Sequence, residues 1–182
     1  LWCYTHEYLT KARGVHNALW AYSPGSEPKS AEEFAERYPG DAYVDLIGFD
    51  MYQQPPAPFW EQYEAQMALT GGFARAHGKL FANTETGIMR PGNTALLEHG
   101  NERGWYARVA DVCLRHGASY VLLWANFSAD DAYYTPYAVQ RTTGADGMPT
   151  SLAGHELLDD FIAFHNDGRV IFARGTPFAA RT

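Results

Sequence analysis

Cysteine is scarce: Cys3 and Cys113 are the two in 182 residues. Two thiols so far apart make neither a disulfide framework nor a metal-ligand set, and the plain reading is a pair of buried free thiols. Positive charge is also short, with 14 Lys and Arg against 21 Asp and Glu and a net charge of -7. No basic cluster stands out, and a phosphate backbone demands concentrated positive charge, so no nucleic-acid partner is expected. No apolar run approaches the roughly 20 residues of a membrane span. The chain also lacks an initial methionine and a signal-peptide pattern. It opens on L-W-C-Y inside an amphipathic pattern, as if a segment preceded it. No G-x-G-x-x-G comes after the first strand-like segment, and neither H-E-x-x-H nor G-x-S-x-G occurs. Metal and cofactor are therefore not expected.

What is present is apolar and aromatic material, 46% and 15% of the chain, enough for one sizeable core. Residues 1–14 read as a helix stopped at Gly14, and 17–22 as a strand leaving through S-P-G. A short helix over 30–38 leads to a second strand, 43–52, whose nearly unbroken apolar run suits burial on both faces. Helices are predicted over 59–77, 93–116 and 152–166, with Gly78 and Gly117 as stops. Strands are predicted over 80–84 and 119–124. A long loop runs up to Pro149. Four strand–helix units in alternation imply an α/β fold with a parallel sheet.

Such sheets carry function at the carboxyl ends of their strands. Here those ends offer Trp20, Tyr22 and Ser23; Asp50 and Tyr52; Asn83, Thr84 and Glu85; and Trp124 and Asn126. Aromatic planes with a few amides, phenols and carboxylates suit a carbohydrate, whose rings stack and whose hydroxyls need partners. A plainer reading sits beside each. Trp20 and Trp124 are equally good core residues, and Asp45, in mid-strand, reads as a structural carboxylate. Glu85 differs, because glutamate is rarely buried without a partner and here it directly succeeds a buried-type strand. Asp130, Asp131, Tyr133 and Tyr134 lie in a loop without metal-ligand spacing and read as a rim.

The succession N-A-L-W-A-Y-S-P (17–24), Y-P-G-D-A-Y-V-D-L-I-G-F-D-M-Y (38–52), T-E-T-G (84–87) and L-L-W-A-N (122–126) resembles glycoside hydrolase family 26. The closing D-D-F-I-A-F-H-N-D-G-R (159–169) is similar to that family's last helix. The resemblance implies the carboxyl-terminal part, strands 5–8, of a (β/α)8 TIM barrel, with the 182 residues as one partial catalytic domain lacking strands 1–4. It implies Glu85 as catalytic nucleophile, Tyr52 as its hydrogen-bond partner and Trp124 as a sugar platform. Trp20, Tyr22, Asp50 and Asn126 join these as substrate-binding candidates. The family often carries arginine where Ala125 stands.

Its acid/base comes after strand four in a segment like H-E-x-x-G-x-W-x-W. Thr5-His6-Glu7-Tyr8 lacks the Gly and the Trp-x-Trp, and nine residues separate Glu7 from Asn17, too few for a helix after strand four. The acid/base is therefore expected upstream of Leu1, and the isolated fragment is expected to be inactive. The implied partner is a polysaccharide, mannan or a related β-glycan, hydrolysed with retention, by a protein secreted or held at the cell envelope. A β-1,3-1,4-glucanase or xylanase, or a non-catalytic carbohydrate-binding module, remains open.

Overall fold

The alternation of apolar and helical segments is realised as a parallel sheet covered by helices. The computed structural model describes residues 1–25, 28–54, 58–89, 100–125, 134–136, 141–143, 149–151 and 154–172, with 141–143 and 149–151 described by backbone alone. Two compact units emerge: Leu1–Gly87 with Val112–Leu123, and Ile88–Asp111 with Trp124–Thr182.

The first unit holds the main sheet: β1 (Ala21–Tyr22), β2 (Leu46–Gln53), β3 (Leu80–Ile88) and β4 (Val121–Leu123), in the order β1-β2-β3-β4. The β1–β2 and β3–β4 pairs are parallel. Sheet order matches chain order with no reversal, which is the winding of a barrel segment; doubly wound sheets reverse direction at a switch point. β1 is shorter than the apolar run 17–22 suggests. The Asp45 carboxylate accepts the Trp20 N–H at 2.8 Å, while the Trp20 carbonyl takes both the Asp45 and Leu46 N–H groups. A side chain thus replaces a ladder partner, and Asp45 is structural. β3, by contrast, runs four residues beyond the expected Thr84.

Helix α1 (Trp2–Glu7) passes into a π-helical turn at Tyr8–Ala12 and stops at Gly14, whose φ is +67°. A short helix α2 (Ala31–Ala35) precedes β2, and α3 (Trp60–Ala76) links β2 to β3. α3 buries Tyr63, Gln66, Met67, Thr70, Gly71, Phe73 and Ala74, the spacing of one broad helical face. Its polar members satisfy each other through Gln66 Nε2 and Thr70 Oγ1, 3.0 Å apart. Opposite them, Phe49 of β2 lies 6.1 Å from the Tyr63 ring and 6.4 Å from Phe81 of β3, centroid to centroid. Gly71 lets Phe81 approach, since a Cβ there would sit 3.1 Å from its ring. Each such fully buried side chain contributes about 1.5–3 kcal/mol.

Side chains alternate along strands, so the residues opposed to Phe49, Phe81 and Asn83 share the other face. Gly48, Asp50 and Tyr52 of β2 and Leu80, Ala82 and Thr84 of β3 are on it, with Leu122 of β4. Leu80 and Leu122 are 49% and 40% exposed there.

Helix α4 (Trp105–His116) runs across both units, through Asp111 in the second and from Val112 in the first. The predicted amino-terminal part of this helix, 93–99, lies outside the described residues. In the second unit Tyr106 meets Phe161 and Phe164 of α5 (Leu158–His165), and Phe172 packs on both phenylalanines. A small antiparallel hairpin, β5 (Arg141–Thr143) with β6 (Pro149–Ser151), occupies part of what the sequence shows as a loop.

Candidate active site

Polar groups gather just past β1 and from the middle of β2 and β3 onward. Tyr52 Oη donates to Glu85 Oε2 at 2.7 Å. Among the described residues the other Glu85 oxygen takes no hydrogen bond, so one oxygen is held and one left open. Beside this pair, the Asp50 Oδ1 atom accepts from Thr84 Oγ1 at 2.9 Å and from Ser23 Oγ at 3.1 Å. The two hydroxyl oxygens stand 2.5 Å apart. Three strands thus converge on one carboxyl oxygen. Burial pushes the Asp50 carboxyl above its ordinary range, against the lowering effect of the Thr84 and Ser23 hydroxyls.

Strand alternation alone does not produce this arrangement. Thr84 and Glu85 are consecutive on β3, yet they meet Asp50 and Tyr52, which lie two apart and share a face of β2. The β3–β4 ladder supplies the reason: Asn83 pairs with Val121 and Thr86 with Leu123, three steps on β3 against two on β4. The extra residue is a β-bulge, which reverses the alternation and re-aims the side chains beyond it. Thr84 and Glu85 consequently point the same way. Gly48 makes the packing possible, because a Cβ there would fall 2.5 Å from Thr84 Cγ2 and 2.7 Å from its Oγ1.

Of the residues singled out from sequence, the structure brings Glu85, Tyr52 and Asp50 together. Trp20 and Tyr22 lie with the helices. The Trp20 ring is 4.8 Å from His6 and 6.1 Å from Trp2, and Tyr22 packs edge-on against Trp2, Phe34 and Tyr38. Burial raises the Tyr22 phenol's pKa, with Arg37 opposing. Trp124 is half-buried and belongs to the second unit. Asn126 lies outside the described residues, as do Asp130, Asp131 and Tyr133, while Tyr134 is buried and its carbonyl accepts the Tyr106 hydroxyl. The Thr5–Tyr8 segment is occupied with packing: His6 abuts Tyr43, and Glu7 accepts from Lys11 and Tyr43. Cys113 is buried and Cys3 half-buried, both as free thiols.

Ser23, Asn83 and Thr84 are parts of the site that strand-end position alone does not rank. For Asn83 and Thr84 the sequence signal is a run of three polar residues, N-T-E, where strict alternation would place an apolar one; Ser23 has only its place after Tyr22. No cluster of three metal-ligating side chains exists among the described residues, and no helix among them is long and apolar enough to cross a membrane.

Comparison with known proteins extends this picture. The model of Glycosyl hydrolase family 26 matches residues 1–111. A mannan endo-1,4-beta-mannosidase of Bifidobacterium adolescentis is 28% identical over 158 residues, 81% of this chain and 15% of that protein. One from Bacillus subtilis is 37% identical over 71 residues, 39% of this chain and 19% of its own. Among solved structures, the catalytic domain of a Bacillus sp. JAMB-750 endo-beta-1,4-mannanase superposes with TM-score 0.75 at 28% identity, over 96% of this chain and 44% of that one. A beta-mannanase from Bacteroides ovatus gives 0.69 at 31% identity, over 94% and 43%. The chain therefore spans less than half the length of these relatives. Its parallel sheet is part of a (β/α)8 barrel, as these neighbours and the unreversed strand order indicate. With the family model covering well over half of its residues, the chain belongs to glycosyl hydrolase family 26.

Proposed function

We propose that the 182 residues form part of the catalytic domain of a retaining endo-β-1,4-mannanase, with Glu85 as its nucleophile. The observation that carries this reading is the Tyr52–Glu85 hydrogen bond of 2.7 Å in the carboxyl-terminal halves of β2 and β3, which leaves the second carboxyl oxygen without a partner among the described residues. Family membership and the names of the relatives support the substrate class.

In the proposed mechanism the open oxygen of Glu85 attacks the anomeric carbon. A carboxylic acid from outside this chain protonates the departing glycosidic oxygen, and a glycosyl ester forms on Glu85. The same outside group, now a carboxylate, removes a proton from water, which cleaves the ester and restores the starting configuration. Retention requires the two carboxyl groups to lie roughly 5–5.5 Å apart. Tyr52 fixes which Glu85 oxygen reacts. Asp50 supplies an acceptor for a sugar hydroxyl, and the family resemblance gives Trp124 the part of a sugar platform. A polymer substrate does not cross membranes, which favours a secreted or envelope-held protein.

The test is mannan hydrolysis by the complete protein with Glu85→Ala. Loss of at least about a thousandfold in kcat is expected for a missing nucleophile, and near-wild-type turnover would refute the assignment. The isolated 182 residues are expected to be inactive on mannan. Preference for xylan or a mixed-linkage glucan in a polysaccharide panel would replace the substrate and leave the nucleophile standing.

A further inference from the structure

The bulge that turns Glu85 toward Tyr52 must itself be held. A bulge takes main-chain groups out of the ladder, and each removed carbonyl needs another donor. The carbonyl of Glu85 finds one in the side chain of Asn83, whose Nδ2 lies 3.0 Å away. The same amide nitrogen gives its second hydrogen to the carbonyl of Phe49 on β2, at 2.9 Å. Its oxygen accepts the hydroxyl of Tyr63 from α3, at 2.8 Å. The three bonds fix the amide's orientation, because two carbonyl oxygens demand the NH2 end and a hydroxyl then donates to the oxygen.

Both residues are fully buried, at 0% exposure. The Tyr63 ring stacks on Phe59, 4.9 Å away, and also meets Trp60 and Phe49. Its hydroxyl therefore cannot drift. A buried asparagine must find partners wherever it sits. This one ties the main chain of the proposed nucleophile to a neighbouring strand and a helix, at the point where β3 changes register.

We infer that Asn83, held by Tyr63, is a positioning residue that fixes the β3 bulge and so the direction of the Glu85 side chain. The inference rests on the nucleophile reading and adds a device behind it. An amide is required. Asn83→Asp keeps the shape but sets an acceptor against two carbonyls, and Tyr63→Phe removes one hydroxyl with almost no change of volume.

The experiment uses the complete protein and a mannobiosyl fluoride carrying a second fluorine beside the anomeric carbon. Attack by the nucleophile expels fluoride without acid assistance and leaves a slowly hydrolysed ester, located by peptide mass spectrometry. Labelling rate and steady-state kinetics on mannan are measured well below the melting temperature of each variant. We expect the labelling rate and kcat to fall together, by about tenfold in Tyr63→Phe and about a hundredfold in Asn83→Asp, with KM little changed, as for a displaced reacting group. Lower melting temperatures with unchanged labelling rates would show a purely structural amide and overturn the inference alone. Labelling of the unmodified protein at a residue other than Glu85 would overturn the nucleophile reading and the inference together. Should Asn83→Asp fail to fold, Tyr63→Phe decides the matter by itself.

Discussion

Gly48→Ala is the most informative single perturbation of this site. The new Cβ would stand 2.5 Å from Thr84 Cγ2, 2.7 Å from Thr84 Oγ1 and 3.0 Å from the Ala82 carbonyl oxygen. Thr84 must rotate away, which surrenders its contacts with Asp50 and Ser23. Overpacking costs about 1–3 kcal/mol, and a lost hydrogen bond about 1 kcal/mol. Against this, alanine lowers the entropy of the unfolded chain, a gain of about 0.4–1 kcal/mol where the conformation permits it. Steric cost wins, and the net is about 2–3 kcal/mol of destabilisation. Thermal unfolding and kcat on mannan are read for Gly48→Ala, Thr84→Ala and the double variant of the complete protein. Thr84→Ala removes both clashing atoms, so Gly48→Ala should cost about 1–2 kcal/mol less in that background. Equal costs in both backgrounds, or a cost below about 0.5 kcal/mol, would refute the packing of Thr84 over Gly48.

Asp50 and Thr86 offer two more tests. Asp50 has its folded pKa raised by burial, so the folded state binds a proton more tightly than the unfolded chain. Its contribution to stability is fullest below the unfolded pKa and is lost as pH rises through the folded one. Asp50→Asn, which still accepts from Thr84 and Ser23, should therefore melt at or above the parent at neutral pH, the difference widening from acid toward neutral, while kcat falls. A lower melting temperature at neutral pH would contradict the burial argument. Thr86 is wholly buried, and its Oγ1 has no hydrogen-bond partner among the described residues. Thr86→Val should raise stability by about 1 kcal/mol, the released desolvation cost of an unmatched hydroxyl, as read by denaturant midpoint; a loss would reveal a partner for that oxygen.

Parallel pairing was legible in the sequence because the strands alternate with crossover helices of ordinary length, while the strand order came only with the family resemblance. Glu85 was legible for a related reason: a carboxylate at the exit of an apolar strand is costly unless something uses it. Position along a strand does not decide which face a side chain takes, however. Trp20 and Tyr22 fall at a strand end like Tyr52, yet they pack with Trp2 and Phe34 on the helix side, while Ser23, one residue on, faces Asp50. The bulge was invisible for a deeper reason. Register belongs to a pair of strands, and no residue of β3 alone says that β4 advances two positions while β3 advances three. The shortness of β1 likewise depends on Asp45, a side chain 25 positions away from the Trp20 N–H it accepts.

Cys113 gives the region behind the proposed nucleophile a natural clock. Its sulfur lies 3.5 Å from the Tyr63 hydroxyl, and burial pushes its pKa up to about 11. The thiolate is the nucleophile that attacks a thiol reagent, so Cys113 stays silent while α3 and α4 remain packed and reacts only during a momentary opening. The rate of its modification, with half-buried Cys3 as an internal comparison, times that opening without any engineered probe. A thiol that carries no motif in the sequence thereby reports how often the support beneath Glu85 breathes.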